Sequence, residues 1–347
     1  MLKALEKLTF TAVILGALVL GGSICFGAEF SVPITVHEAL REGVSGIDRK
    51  GEPVTVGIPF PKGELHEKNG VPQLALEGAP DYQFRTLARW QDGSVKWALV
   101  DFQADVSSGG KNEKVRVVPG GGNTPGMLAE ERGGVISVNT GAMTVTVRKK
   151  GFNLFDSVAA DGKDIVLPGA SKGIVVEGDD GSEYLASNDR DAKVAIEENG
   201  PVRAVVKAEG SHIGSSGRML DYTVRMHFYK GSTRVKVFYT LRNASKKQFE
   251  HAHIRSLDLV TKTESGPYAV ASKHDGKVKE RLGNGSELVY YQAVSAFPQS
   301  YGGDAFYYHA PIPPDFKRER ERGFSQEGYW IKDGDKVLAE GRKSEYP

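Results

Sequence analysis

"LDYTVRMHFYKGSTRVKVFYTLRN", residues 220–243, decides the fold. Apolar and polar residues alternate along it with the period of two half-buried strands. Gly231-Ser232 stands between them with glycine first, as a two-residue type II′ turn requires. Pairing about that turn sets Tyr229 against Arg234, His227 against Lys236, Arg225 against Phe238, Thr223 against Thr240 and Asp221 against Arg242. One face then collects Leu220, Tyr222, Val224, Met226, Phe228, Val235, Val237, Tyr239 and Leu241. So many apolar side chains on one face predict a central strand pair of a packed sheet. The other face is basic and aromatic at once. The fold class is all-β.

The same pattern extends outward. Short Val/Thr/Tyr-rich runs recur throughout, with turn signals every 8–12 residues or so, the spacing of a sandwich or barrel. Helical periodicity is nearly absent beyond the first residues. "GGGNTPG" (120–126) is the best linker in the chain. It divides the chain into two β blocks, 29–119 and 127–347, each a sandwich or a barrel by that spacing. In "RTLARWQDGSVKWALVDFQ" (85–103), Asp92-Gly93 predicts a second hairpin. A two-residue loop there opposes Arg89 to Lys96 and places Phe84, Ala88, Trp90, Val95, Trp97 and Leu99 on a core face.

Residues 1–28 read as a signal peptide: Lys3 and Lys7, an apolar run from Phe10 to Leu20, then small residues ending at Ala28. The expected location is secreted or periplasmic, with no membrane association after cleavage. The single cysteine, Cys25, lies in that segment, so the remaining chain has no disulfide, thiolate ligand or cysteine nucleophile. With 45 Lys+Arg against 44 Asp+Glu, net charge gives no reason to expect nucleic acid. A chain that is 39% hydrophobic has ample core and needs no metal staple.

No nucleophile elbow, phosphate-binding loop, zinc-protease motif or dinucleotide fingerprint is present. No metal site and no cofactor are expected. Three clusters remain. In "EHAHIR" (250–255), strand spacing puts His251, His253 and Arg255 on one face, where they are candidates for catalysis beside a carboxylate. The alternative is an exposed strand with ordinary polar residues. In "VYYQAVSAFPQSYGGDAFYYH" (289–309), Tyr290 and Tyr291 are candidates for stacking on sugar rings, or simply good strand formers. On the long hairpin, Arg225, His227, Arg234 and Lys236 are candidates for holding carboxylates, because arginine pairs bidentately with them. Their alternative is a solvated surface.

"EPVTVGIPFPKGEL" (52–65) followed by "RTLARWQDGSVKWALVDFQADV" (85–106) resembles the N-terminal RIFT-type barrel of the exo-rhamnogalacturonan lyase-like polysaccharide lyases. "NGPVRAVVKAEGSH" and the hairpin after it (199–243) resemble their central β-sandwich. The resemblance implies a barrel, a sandwich and then an α/α toroid. It also implies eliminative cleavage of an acidic polysaccharide containing rhamnose and galacturonate. Such chemistry needs a base for the proton alpha to the carboxylate, a donor for the enolate and an acid for the leaving oxygen. The chain stops at "GRKSEYP" with no toroid, and no catalytic residue of the family maps onto it. The expectation is therefore the barrel-and-sandwich portion of a secreted lyase-like protein. It contacts an acidic polysaccharide without a complete catalytic site, and the missing toroid packs on its sandwich. The alternative is a secreted carbohydrate-binding or cell-surface structural β protein with no catalysis.

Overall fold

A computed structural model describes residues 30–38, 46–243, 252 and 254–262, and the backbone of five later strands over 268–271, 279–282, 286–292, 327–333 and 336–342. The N-terminal apolar segment, His251 and His253 lie outside the described residues.

Eight strands form the first unit: β1 (Val32–His37), β2 (Arg49–Pro59), β3 (Glu67–Lys68), β4 (Val71–Pro72), β5 (Leu74–Glu77), β6 (Tyr82–Arg89), β7 (Val95–Val106) and β8 (Lys111–Pro119). Sheets of order β1-β8-β5 and β2-β7-β6 close on one core. Leu74, Phe84, Val95, Val100, Phe102, Val115 and Val117 fill it. Each such side chain removed from water contributes roughly 1.5–3 kcal/mol.

The hairpin of β6 and β7 departs from the expected register. Trp90 N–H bonds to the Ser94 carbonyl at 2.9 Å and Gly93 N–H to the Trp90 carbonyl at 3.0 Å, so the loop has three residues. Gly93, at φ +86°, supplies the left-handed residue that such a bulged loop demands. Arg89 therefore meets Val95, not Lys96, while Ala88 still meets Trp97 across a bulge. A one-residue slip exchanges faces. Ala98, Val100 and Phe102 point into the core, and Trp97 is 39% exposed. The expected repulsion between Arg89 and Lys96 does not arise: Arg89 pairs with Glu67 at 2.6 Å, and the Lys96 ammonium sits 4.5 Å from the Trp90 ring centroid.

The glycine-rich connection is laced to this unit. Gly120 and Gly122 N–H groups bond to the carbonyls of Gln73 and Leu74. Asn123 Oδ1 accepts Phe84 N–H at 2.6 Å.

The sandwich follows. Its first sheet comprises β9 (Ala129–Arg132), β10 (Val135–Asn139), β11 (Met143–Arg148), β12 (Ser157–Ala160) and β13 (Lys163–Val166), in reverse order across the sheet. Its second comprises β14 (Gly173–Gly178), β15 (Glu183–Leu185), β16 (Lys193–Asn199), β17 (Arg203–Gly214), β18 (Gly217–Tyr229), β19 (Val235–Arg242) and β20 (Ile254–Val260). The order is β19-β18-β17-β15-β14-β20, with β16 also paired to β17. Ile136, Val138, Val145 and Val147 of one sheet meet Val206, Val224, Met226 and Phe228 of the other in a single core.

The long hairpin of β18 and β19 keeps its expected register from Asp221–Arg242 to His227–Lys236. The tight turn lies one residue earlier than expected. Ser232 N–H bonds to the Tyr229 carbonyl at 3.1 Å, with Gly231 at φ +68°. Tyr229 and Arg234 lie at the loop, where β19 has not begun. The pair is not central: among the described residues β19 is an edge strand. That explains why Val235, Val237 and Tyr239 are only partly buried against the core.

Beyond the sandwich, β21 (Tyr268–Ala271) pairs with β22 (Lys279–Leu282). A separate sheet runs β23 (Ser286–Gln292), β24 (Glu327–Asp333), β25 (Lys336–Arg342). Among the described residues no helix is long and apolar enough to cross a membrane.

Candidate functional site

The outward face of β17, β18 and β19 gathers the hairpin's charged and aromatic residues. Strand pairing aligns Lys207, Arg225 and Phe238 in one row and Val205, His227 and Lys236 in the next. Phe238 is 48% exposed on this face. The Lys236 ammonium lies 4.8 Å from its ring centroid, a contact worth about 0.5–1 kcal/mol where exposed. The His227 ring meets it edge-on at 5.2 Å and 72°.

Charges on this face are partly committed. Arg225 grips Glu197 with Nε at 2.6 Å and Nη2 at 2.8 Å. That contact holds the Glu197 carboxyl below the usual carboxylate range. Lys207 pairs with Glu209 at 2.9 Å. Burial, helped by the nearby Arg203 charge, pushes the His227 imidazole below its ordinary 6.5, so it is neutral at neutral pH. Arg234 turns toward the barrel, 3.6 Å from Glu52. Of the four basic candidates, His227 and Lys236 thus converge on one spot, Arg225 stands one row along, and Arg234 is elsewhere. Phe238 completes the spot. The pairing that sets it opposite Arg225 was the signal for it in the sequence.

The barrel closes one end of this face through a buried ionic joint. Gln83 Oε1 accepts the Val202 and Arg203 N–H groups at 3.1 and 2.9 Å. Arg203 Nη1 lies 3.2 Å from Asp101 Oδ1, and its Nη2 donates to Glu198 Oε2. Thr55 Oγ1 donates to Asp101 Oδ1 at 2.5 Å, and Arg85 pairs with Glu198 at 3.0 Å. Burial pushes the Asp101 carboxyl up against the pull of Arg203. Lys230 reaches Asp81 at 2.7 Å.

On the inward face, His212 Nδ1 bonds to the Leu220 carbonyl at 3.0 Å. Its Nε2 therefore accepts the Tyr239 hydroxyl at 2.6 Å. Tyr239 stacks on Tyr222, and the His212 ring meets Tyr222 edge-on. Arg255 lies on β20, at the opposite edge of the sheet from β19. Its Nη1 bonds to Glu177 at 2.6 Å and its Nη2 to the Asp179 carbonyl at 3.0 Å. Tyr290 pairs with Tyr329 and Tyr291 with Gly328 in the C-terminal sheet. That sheet hydrogen-bonds to neither domain's sheets among the described residues. The structure thus brings Arg255 and the Lys236 face to opposite edges. Among the described residues no three metal-ligating side chains converge.

Fold and site together define a two-domain all-β protein, a small barrel docked by a buried ion network onto a sandwich with an aromatic-basic outer face. Residues 44–117 match the PcRGLX-like N-terminal RIFT barrel domain, and residues 127–270 the PcRGLX-like protein central beta sandwich domain. The two matches lie in that order and together cover more than half of the chain, which belongs to this rhamnogalacturonan lyase-like family. The chain is also similar to the uncharacterized protein YetA of Bacillus subtilis (strain 168), 30% identical over 209 residues. That alignment covers 57% of this chain and 24% of YetA, so the chain spans about a quarter of that relative's length.

Proposed function

We propose that the chain is the glycan-contacting barrel and sandwich of a secreted polysaccharide lyase-like protein that acts on acidic rhamnogalacturonan-type polymers, without a complete catalytic site of its own. The observation that carries this reading is Phe238, an exposed aromatic ring flanked by the Lys236 ammonium and the His227 imidazole. An aromatic face packs against the apolar CH surface of a sugar ring, and an ammonium beside it holds a uronate carboxylate. The two family domains support the lyase context. Elimination also needs a base and an acid placed about the same sugar. On this reading the groups that complete it come from a further domain, the expected toroid, seated on the sandwich. Lys3 and Lys7 ahead of the apolar run from Phe10 support export to the periplasm or medium.

The test mixes the purified chain with rhamnogalacturonan and, separately, polygalacturonate. Calorimetry follows binding while absorbance follows the unsaturated uronyl product. Binding to rhamnogalacturonan with no rise in absorbance is expected. Product formation would place a complete site in this chain, and absence of binding to either polymer would overturn the glycan reading.

A further inference from the structure

A second charged cluster lies on the same outer face, at the end away from the barrel. Asp221 sits between Ser211 on β17 and Arg242 on β19. It is only 5% exposed, yet two arginines bracket its carboxylate. Arg242 Nη2 donates to Oδ2 at 2.6 Å. Arg218 Nη2 and Ser211 Oγ, the latter at 2.8 Å, donate to Oδ1. The arginine side chains themselves are 54% and 75% exposed for Arg218 and Arg242.

The asymmetry matters. The anion is buried and the two cations are outside it, so one carboxylate anchors two guanidiniums, one on each oxygen, and the three groups sum to one positive charge. Each guanidinium has five N–H donors in a planar fork, and the clamp engages Nη2 alone. Nε and Nη1 of each remain outside it. Two forks ordered before a ligand arrives lose less entropy when it binds, and the fork geometry matches a carboxylate. Arg242 is four residues from Phe238 on the same face of β19, roughly 13 Å along the strand.

We propose that the Arg218–Arg242 pair, held by Asp221, is an anion subsite that takes the carboxylate of an acidic sugar unit further along a glycan stacked on Phe238. This rests on the glycan-binding reading of the outer face and adds a second contact point to it.

The test titrates the full chain by calorimetry with oligogalacturonate and with the same oligosaccharide after its carboxyls are reduced to alcohols. Arg218→Ala/R242A should weaken oligogalacturonate by about tenfold or more and leave the reduced ligand unchanged. R242K, which keeps the charge and loses the fork, should fall between. Unchanged affinity of the double variant for oligogalacturonate would overturn the subsite while leaving the Phe238 surface standing. Equal weakening of both ligands would also overturn it, since the loss would then owe nothing to the carboxylate. Failure of the unaltered chain to bind either ligand would overturn the subsite, and the surface reading falls with it only if rhamnogalacturonan is not bound either.

Discussion

Phe238, His227 and Asp221 behave differently because of how each sits on one sheet face. Phe238 is half exposed and its ring contacts are with Lys236 and His227, so Phe238→Ala should cost only about 0.5–1 kcal/mol of stability. Loss of an aromatic contact of about 1 kcal/mol should weaken glycan binding roughly fivefold. Chemical denaturation and calorimetry on the same variant read the two effects separately. His227 has a depressed folded-state pKa, so the folded chain holds a neutral ring where the unfolded chain takes up a proton near 6.5. Its contribution to stability is full above that value and is lost as pH falls through it toward the folded pKa. An imidazole NMR titration should give a midpoint below 6.5; a midpoint at or above it would contradict the burial argument. For Asp221, burial opposes ionisation, but Arg218, Ser211 and Arg242 outweigh it and hold the carboxyl below 3.8. Its contribution is present above the unfolded value and disappears only as pH drops through the folded one. The sequence placed Asp221 against Arg242 but could not show Arg218 joining them. That contact depends on a register shift between Ser211 and Ile213 that alternation does not encode.

At the scale of elements, the two hairpins show what alternation can and cannot carry. In the hairpin of β18 and β19, one face is so apolar that only one register buries it, and the register was legible. In the hairpin of β6 and β7, both faces carry large apolar residues, so Asp92-Gly93 alone had to decide between a two- and a three-residue loop. Asp92 Oδ1 caps Ser94 through its N–H at 3.0 Å and its hydroxyl at 2.6 Å. That local bonding favours the three-residue loop, which exchanges the faces of the neighbouring strand. Gly93→Ala tests this. No atom stands within 4 Å of a Cβ built there, so only the left-handed backbone is penalised. The expected loss is about 1–2 kcal/mol in denaturant unfolding. A neutral substitution would mean that the loop does not need its left-handed glycine. The basic candidates were legible as residue types, whereas the pairing of Arg225 with Glu197 across a bulge in β16 was not.

For the whole molecule, the joint at Arg203 makes barrel and sandwich a single frame for the outer face. Removing one partner of a buried pair strands the other, and Arg203→Ala should cost about 3–5 kcal/mol by leaving the buried Asp101 without its paired cation, while Glu198 keeps Arg85. Calorimetric scanning should show it as a lower and broader transition than that of the unaltered chain. An unchanged profile would mean that the domains are held by other contacts. The all-β class was readable from turn spacing and strand patterning, and the order of barrel and sandwich from the resemblance of 52–65, 85–106 and 199–243 to the family. The joint was not, because its residues lie more than a hundred positions apart along the chain, as Gln83 and Arg203 do. The most direct test of the central claim, that the outer face of β18 and β19 is the glycan surface, is a calorimetric titration with rhamnogalacturonan oligosaccharides of the unaltered chain beside Phe238→Ala. The account predicts binding by the first, and binding weakened roughly fivefold with folding intact in the second. Equal affinity for both would contradict it.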